Sequence, residues 1–377
     1  MREPGTPPRG LGRDPTAHTL YLRPVDPRPA NRLSGLNGLP TLALAGGVLR
    51  FGAVELIWRR REAPAQVEAW QARLGELREF ARGEGAAGDV VEAWLARLGA
   101  ARAPVAGILL DRPRLVGVVN TTPDSFSDGG RSESLDAAIG RGVALALAGA
   151  DIVDVGGEST RPDAAPVAAE VECDRVLPVI EGLAKRGVAV SVDTRKSAVM
   201  AAALDAGACM VNDTSALAAD PASLALVARR GCPVVLMHMR GTPADMRLHA
   251  RYDCAPLDVY DELAARIAAC EAAGIARARI IVDPGLGFAK AAAHNAEILS
   301  HLALYQGLGC AVMVGASRKG LFRAVRQAAP PEGRLPASLG AAWAALDRGA
   351  QFLRVHDVGE TAQLVAAWRA LAVGESA

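Results

Sequence analysis

Aromatic residues are scarce in this sequence, 4% of 377 positions, while half of all residues are hydrophobic, so its core must be aliphatic and alanine-rich. Lysine is rarer still: Lys185, Lys196, Lys290 and Lys319 are the only four, and arginine carries the rest of the basic charge. Neither sign of charge is in excess, since the formal net charge is +1. That balance gives no reason to expect nucleic acid or an anionic membrane as a partner. No apolar run reaches the roughly 18 residues of a membrane-spanning helix, and residues 1–30 lack the apolar centre of a signal peptide. The six cysteines (Cys173, Cys209, Cys232, Cys254, Cys270 and Cys310) are scattered and form no C-x-x-C pair. Such spacing argues against a disulfide frame or a zinc site and for reduced thiols, so a cytoplasmic protein is expected.

The length suits one large domain with an extension. Residues 1–40 are rich in Pro, Gly and Arg and predict a poorly ordered arm. Residues 41–58 (TLALAGGVLRFGAVELIW) predict a small hairpin turning at Gly46-Gly47. The spacing of Val67, Trp70, Leu74, Leu77 and Phe80 predicts a helix from Pro64 to about Arg82, and Val90–Leu98 a second one beyond the break at Gly83–Gly88. Residues 1–105 therefore read as an N-terminal extension or small subdomain of uncertain structure, without a cluster of catalytic side chains.

After Pro113 the pattern changes. Short apolar runs recur at Leu115–Val119, Asp151–Val155, Val188–Val192, Ala208–Val211, Pro233–Met237, Arg279–Val282, Ala311–Val314 and Gln351–Val355. Each is followed by an Ala-rich stretch of helical length, such as Leu135–Ala148 or Leu257–Ala273. Strands that are continuously apolar are buried on both faces, as in parallel sheets covered by helices. Eight such units over residues 106–377 predict an α/β fold, a (β/α)8 TIM barrel, with a doubly wound open sheet as the alternative.

Active sites of such barrels lie at the carboxyl ends of the strands, and all eight runs end in polar residues. The first ends in Asn120-Thr-Thr-Pro-Asp-Ser-Phe-Ser-Asp-Gly-Gly130, which sets an amide, four hydroxyls and two carboxylates after a buried strand. Asp154, Asp193, Asn212, His238, Asp283, Ser317 and Arg354 stand at the other ends. Asp193, Asn212 and Asp283 offer side-by-side acceptors, which suit a flat heterocycle bearing an amino group and a ring N–H. A second chemistry is anionic: Ser317-Arg-Lys-Gly reads as the opening of a helix, and Arg354-Val-His356 ends the last strand. The loops after strands seven and eight commonly hold phosphate in these barrels. Arg161 could approach from across the mouth.

These stretches resemble one known family, dihydropteroate synthase. The resemblance covers roughly residues 113–372 and rests on NTTPDSFSDGG, DVGGESTRP, SVDT, VND, LMHMRGTP, DPGLGFAKxxxHN, GASRKG and RVHDV, in that order. It implies condensation of 6-hydroxymethyl-7,8-dihydropterin diphosphate with 4-aminobenzoate, release of diphosphate, a need for Mg2+, and a homodimer. By matching motif, it implies Asn120 as the Mg2+ ligand and Asp193, Asn212 and Asp283 as pterin readers, with Met237 against the ring. Lys319 becomes the donor between the two substrates, and Arg354, Val355 and His356 the diphosphate turn, beside the substrate-binding Ser317. Thr160, Arg161 and Pro162, with Phe126 and Asp128, become two loops that close over the site, and Phe126, Pro162, Phe288 and Lys319 line the aminobenzoate pocket. The sequence departs from the family pattern at Thr121, Thr214, Ser215, Leu286, Ala289 and Gly320. Two rival readings remain: an inactive paralogue or the pterin-binding module of a corrinoid methyltransferase, and a Schiff-base aldolase using Lys319. The first has no need of the aminobenzoate and diphosphate groups present here, and the second needs a lysine depressed by burial.

Overall fold

In the computed structural model, which describes residues 18–29, 39–121, 131–160, 164–321 and 330–373, the apolar runs pair side by side. In the N-terminal part the strands are β1 (His18–Val25), β2 (Arg28–Pro29), β3 (Leu42–Ala43), β4 (Leu49–Phe51), β5 (Ala53–Arg60) and β6 (Val67–Arg73), followed by helices α1 (Leu74–Gly83) and α2 (Ala86–Gly99). Eight more strands follow: β7 (Arg114–Asn120), β8 (Ile152–Gly156), β9 (Val190–Asp193), β10 (Met210–Asp213), β11 (Val234–Met237), β12 (Ile280–Asp283), β13 (Ala311–Val314) and β14 (Phe352–Val355). Between and after them run α3 (Arg131–Leu147), α4 (Ala169–Ala184), α5 (Ser197–Asp205), α6 (Ser223–Arg230), α7 (Ala255–Ala272), α8 (Ala292–Ser300), α9 (Leu335–Leu346) and α10 (Val358–Val373).

The later eight strands are all parallel, and β14 pairs with β7 through Leu353↔Leu115 and Val355↔Gly117, which closes the ring. Closure excludes the open doubly wound sheet. Nearly every strand residue is buried, because one face looks into the barrel and the other is covered by helices; that is why the runs are continuously apolar. Inside, at the amino ends of the strands, Val116, Ile152, Met210, Val235, Ile281, Met313 and Phe352 form a cluster of their own. Val105, Ala106, Ile108 and Leu110 close it from below. The turn carrying them is tied by reciprocal Val105–Ile108 backbone bonds. Asp151 pins it to the barrel, accepting from Arg112 at 2.6 Å, from Arg114 at 2.9 Å and from the Leu115 amide at 2.9 Å. Burying side chains the size of Ile or Phe stabilises by roughly 1.5–3 kcal/mol each, so this floor is a large term in the barrel's stability.

The N-terminal part differs from the sequence expectation in two places. Within the arm expected to be poorly ordered, residues 18–25 form β1, paired antiparallel with β5 through Tyr21↔Ile57 and Leu22↔Leu56. The residues expected to begin a helix at Pro64 instead form β6 against β5, with Leu56↔Trp70 in register, and helix starts only at Leu74. Trp70 and Ala72 are buried and their neighbours exposed, a period of two that satisfies Trp70 as well as a helical period does; pairing with β5 decides it. The hairpin at Gly46 is present, between β3 and β4, and Gly46 takes φ +69° with Ala101 packed where a Cβ would stand.

This part packs directly on the barrel. Trp94 of α2 stacks on Tyr260 of α7 at 5.2 Å between ring centres, and Tyr21 meets Tyr260 edge-on at 5.6 Å. The 3-10 helix Leu302–Leu308 receives Trp94 at Gly307, where a Cβ would lie 1.9 Å from the indole. The Tyr21 hydroxyl donates to both carboxylate oxygens of Asp261, at 2.8 and 3.0 Å.

Candidate active site

The carboxyl ends of β7–β14 converge on two polar clusters. In the first, Asp154 is fully buried inside the barrel rather than at the strand's tip. It accepts from the Ser191 hydroxyl at 2.5 Å, from Asn212 Nδ2 at 2.9 Å and from Arg354 Nε at 2.7 Å. Arg354 Nη2 donates to Asp193 Oδ2 at 2.7 Å, so one guanidinium spans two carboxylates drawn from β8 and β9. Burial raises the Asp193 carboxyl well above the usual carboxylate range; Arg354 opposes that rise and the neighbouring acids Asp154 and Glu172 add to it.

In the second cluster, burial likewise raises Asp283, against the pull of Lys319 and of the Gly285 amide, which donates to Asp283 Oδ1 at 2.7 Å. The loop that follows takes positive φ at Gly285 (+67°), Gly287 (+86°) and Ala289 (+49°). At Gly285 a Cβ would strike the His238 carbonyl at 2.0 Å, with Met237 Cγ at 3.3 Å. Glycine is therefore required there, and Ala289 holds a left-handed conformation that costs an alanine of order 1 kcal/mol. Two lysines grip the loop by its carbonyls. Lys319 donates to Leu286 at 2.6 Å with its ammonium 4.5 Å from the centre of the Phe288 ring, and Lys290 donates to Phe288 at 3.0 Å. Burial lowers Lys319 to about 8 and Lys290 to about 7. Gly315, which follows β13 directly, faces both groups: a Cβ there would lie 3.6 Å from Asp283 and 3.8 Å from Lys319.

Ser317 and His356 meet beside these clusters, with the His356 amide 3.2 Å from the Ser317 hydroxyl and the imidazole Nδ1 at the same distance. Burial, with Arg354 close by, lowers His356 to about 4. Arg318 pairs with Asp357 at 2.5 Å. After β8, Glu158 is held by Arg195 and Lys196, and Lys196 reaches the buried Glu172 of α4 at 2.5 Å. Thr160 stands half-buried at the end of that loop, and Asn120 half-buried at the end of β7 opposite Gly156.

Residues 116–356 match the family model described as pterin binding enzyme. The dihydropteroate synthase of Escherichia coli is 43% identical over 255 residues, which is 67% of this chain and 90% of that protein. The chain belongs to the dihydropteroate synthase family. A probable bifunctional folylpolyglutamate synthase/dihydropteroate synthase of Haloferax volcanii is 46% identical over 255 residues; these cover 68% of this chain and only 30% of the length of that relative. Among solved structures, the Xanthomonas albilineans dihydropteroate synthase with 4-aminobenzoic acid superposes with a TM-score of 0.68 at 45% identity, covering 73% of this chain and 99% of that one. Family and fold are thus as the motifs implied, and nothing in these likenesses favours the binding-module or aldolase readings.

Of the residues the family motifs nominate, Asp193, Asn212 and Arg354 form the first cluster, and Asp283, Phe288 and Lys319 the second. Met237 and Val355 are buried among them. Phe126, Asp128, Arg161 and Pro162 lie outside the described residues. One expectation needs correction. Ser317–Gly320 is a turn with Arg318 at φ +59°, not the first turn of a helix; beyond residues 322–329, which lie outside the described residues, come the 3-10 helix Pro331–Arg334 and α9. Its free amides are accordingly not lined up, and the Arg318 amide is taken by the Ser338 hydroxyl at 2.9 Å. Lys319 is also depressed by burial, the property that an amine nucleophile needs.

Sequence reasoning places Asp154 and His238 among the polar strand ends without giving either a role, and does not single out Ser191, Lys196 or Lys290. One signal is available. In a chain with four lysines, Lys196, Lys290 and Lys319 all stand at the barrel mouth, and only Lys185 lies on the open surface.

Proposed function

We propose that the protein condenses 6-hydroxymethyl-7,8-dihydropterin diphosphate with 4-aminobenzoate, giving 7,8-dihydropteroate and diphosphate. The observation that carries this reading is the convergence of Asp154, Asp193, Asn212 and Asp283, from four strands, with the cations Arg354 and Lys319 at one end of one barrel. Asp193, Asn212 and Asp283 suit an aminated heterocycle with ring N–H groups. Asp154, already taken by Ser191, Asn212 and Arg354, holds Asn212 and Arg354 in place. In this reading Met237 packs on the pterin, Lys319 and Phe288 border the aryl amine, and Ser317, Arg354, Val355 and His356 take the diphosphate.

The exocyclic C–O bond to diphosphate breaks, the aniline nitrogen forms the new C–N bond, and it gives up a proton. Arg354 and the His356–Ser317 pair stabilise charge gathering on the leaving group, and the electron-rich ring shares the positive charge left behind. The family motifs give Asp128 a share in that stabilisation, and Phe126, Thr160, Arg161 and Pro162 the exclusion of water, the competing nucleophile; of these only Thr160 lies within the described residues. No nucleophilic side chain is required.

Mg2+ belongs to the same proposal. Among the described residues no group of three His, Cys, Asp or Glu side chains could hold a metal. The half-buried Asn120 amide offers one hard oxygen donor, which fits an ion that takes its other ligands from diphosphate and water. When bound, Mg2+ would neutralise diphosphate charge. A cytoplasmic homodimer completes the reading: the cysteines are all free, and sedimentation tests the dimer. The deciding experiment is dihydropteroate formation from the two substrates with and without Mg2+. Mg2+-dependent product is expected; pterin binding without any product would overturn the reading in favour of a binding module.

A further inference from the structure

The N-terminal sheet is joined to the barrel by charge as well as packing, and the charges run on into the site. Arg59, on β5, places its guanidinium 2.8 Å from Asp258 and 3.4 Å from Asp261, both on α7. The other oxygen of Asp258 lies 3.8 Å from Arg240. Arg240 donates through Nε to Glu262 at 2.9 Å. The second oxygen of Glu262 is 3.0 Å from His238 Nε2, and His238 Nδ1 is 2.9 Å from the Lys290 ammonium. Lys290 then holds the Phe288 carbonyl at 3.0 Å and the His238 carbonyl at 3.2 Å.

Three properties make this series a mechanical link. Formal charges alternate from Arg59 to Glu262, and the neutral imidazole of His238 carries the link on to Lys290. The Asp258–Arg240 step, at 3.8 Å, is an ion pair without a hydrogen bond, and the same Asp258 oxygen accepts from the Asp253 amide at 2.9 Å. While Lys290 is protonated its ammonium only donates, so His238 Nδ1 accepts and Nε2–H points to Glu262, which favours one tautomer. The side chains of Arg59, Asp258 and His238 are 12%, 7% and 3% exposed, so solvent screens them little. A second branch leaves the same arginine: Arg240 lies 4.1 Å over the Tyr252 ring, and the Tyr252 hydroxyl donates to the Ala289 carbonyl at 3.1 Å. Both branches end on the loop after β12, whose three left-handed residues make it dependent on outside support.

We infer that Arg59 is a positioning residue: through Asp258, Arg240, Glu262, His238 and Lys290 the N-terminal sheet sets the placement of the Phe288 loop, and with it the affinity for the aryl amine. The inference about affinity rests on the proposed reading of Phe288 and Lys319 as pocket walls; the inference about loop placement does not. Without Arg59, Asp258 competes with Glu262 for Arg240, and the grip on His238 and Lys290 slackens.

The test is amide hydrogen exchange on the full chain carrying Arg59→Met, Arg59→Lys or Asp258→Asn, with steady-state kinetics alongside. Couplings of this kind correspond to roughly 2- to 30-fold. Exchange across residues 284–290 is expected to speed up by such a factor in Arg59→Met and Asp258→Asn, to return towards wild type in Arg59→Lys, and to stay unchanged in β9. The KM for 4-aminobenzoate should rise by a similar factor while kcat and the KM for the pterin diphosphate hold. Wild-type exchange at 284–290 in both charge-removing variants, or an acceleration spread evenly over the barrel, would overturn the inference. Wild-type protein that makes no dihydropteroate would sink the proposed function, while the exchange result would still decide the link.

Discussion

Arg354→Met is the most informative single change in the barrel. Methionine keeps much of the arginine stem and removes the cation between Asp154, fully buried, and Asp193, 9% exposed. Two charge-assisted bonds of 2.7 Å are lost, and two carboxylates face each other without a counter-charge. Removing one partner of a buried ion pair costs about 3–5 kcal/mol. Proton uptake by Asp193 can return part of that loss, and its size depends on pH. Asp193 already binds its proton more tightly folded than unfolded. Its stabilising contribution is therefore complete below the unfolded value of about 4 and is lost as pH rises through the higher folded value. Removing Arg354, which opposes that rise, moves the folded value higher still. The variant should accordingly lose most stability near pH 8 and distinctly less near pH 5.5, as read by urea midpoints followed with circular dichroism. Adding Asp193→Asn should recover part of the loss at pH 8 and little at pH 5.5. An equal loss at both pH values, or none, would refute the reasoning.

Three further outcomes are expected. Asp283→Ala should abolish measurable binding of the pterin diphosphate by calorimetry, and wild-type affinity would remove Asp283 from its assigned role. Because burial lowers Lys319 to about 8, its ammonium is lost as pH rises through that value, so kcat/KM should fall above pH 8; Lys319→Arg should carry the limb upward, and an unmoved limb would assign it to another group. Gly307→Ala should destabilise by about 1–3 kcal/mol, since the added methyl meets Trp94 at 1.9 Å. Gly340→Ala, inside α9 with open space around it, should instead stabilise by about 0.5–1 kcal/mol, and thermal melts of the two variants should move in opposite directions.

The barrel strands are legible in the sequence because burial on both faces leaves a continuous apolar run, and the site is legible because each run stops at a polar residue. β1 and β6 are not. Tyr21 owes its burial to β5, α2 and α7, partners far away in the chain. Trp70 lies opposite Leu56 of β5 and against Phe80 of α1, and local spacing around it is neutral between a period of two and one of 3.6. The turn at Ser317–Gly320 escapes for a related reason: the left-handed Arg318 depends on Ser338 and Asp357, which hold its amide and its guanidinium. His238, Glu262 and Lys290 are individually unremarkable in sequence, and only the fold shows that they touch. Ala289 is the instructive case: it holds φ +49°, a conformation that favours glycine, and nothing in the local sequence announces that strain.

The turn from Val105 to Leu110 has a bearing on how such a protein could have been assembled. It precedes Pro113, where the composition changes, yet by contact it belongs to the barrel, whose floor it forms beneath Ile152, Ile281 and Phe352. A gene shortened to begin at Arg114 would encode all eight strands and yet leave an apolar hole in the underside of the barrel, open to water and to other copies of itself. The extension therefore cannot be gained or shed as a cassette at the point where the composition changes. Any ancestral or engineered deletion that preserves a soluble barrel has to stop short of Val105, or bring a substitute floor with it.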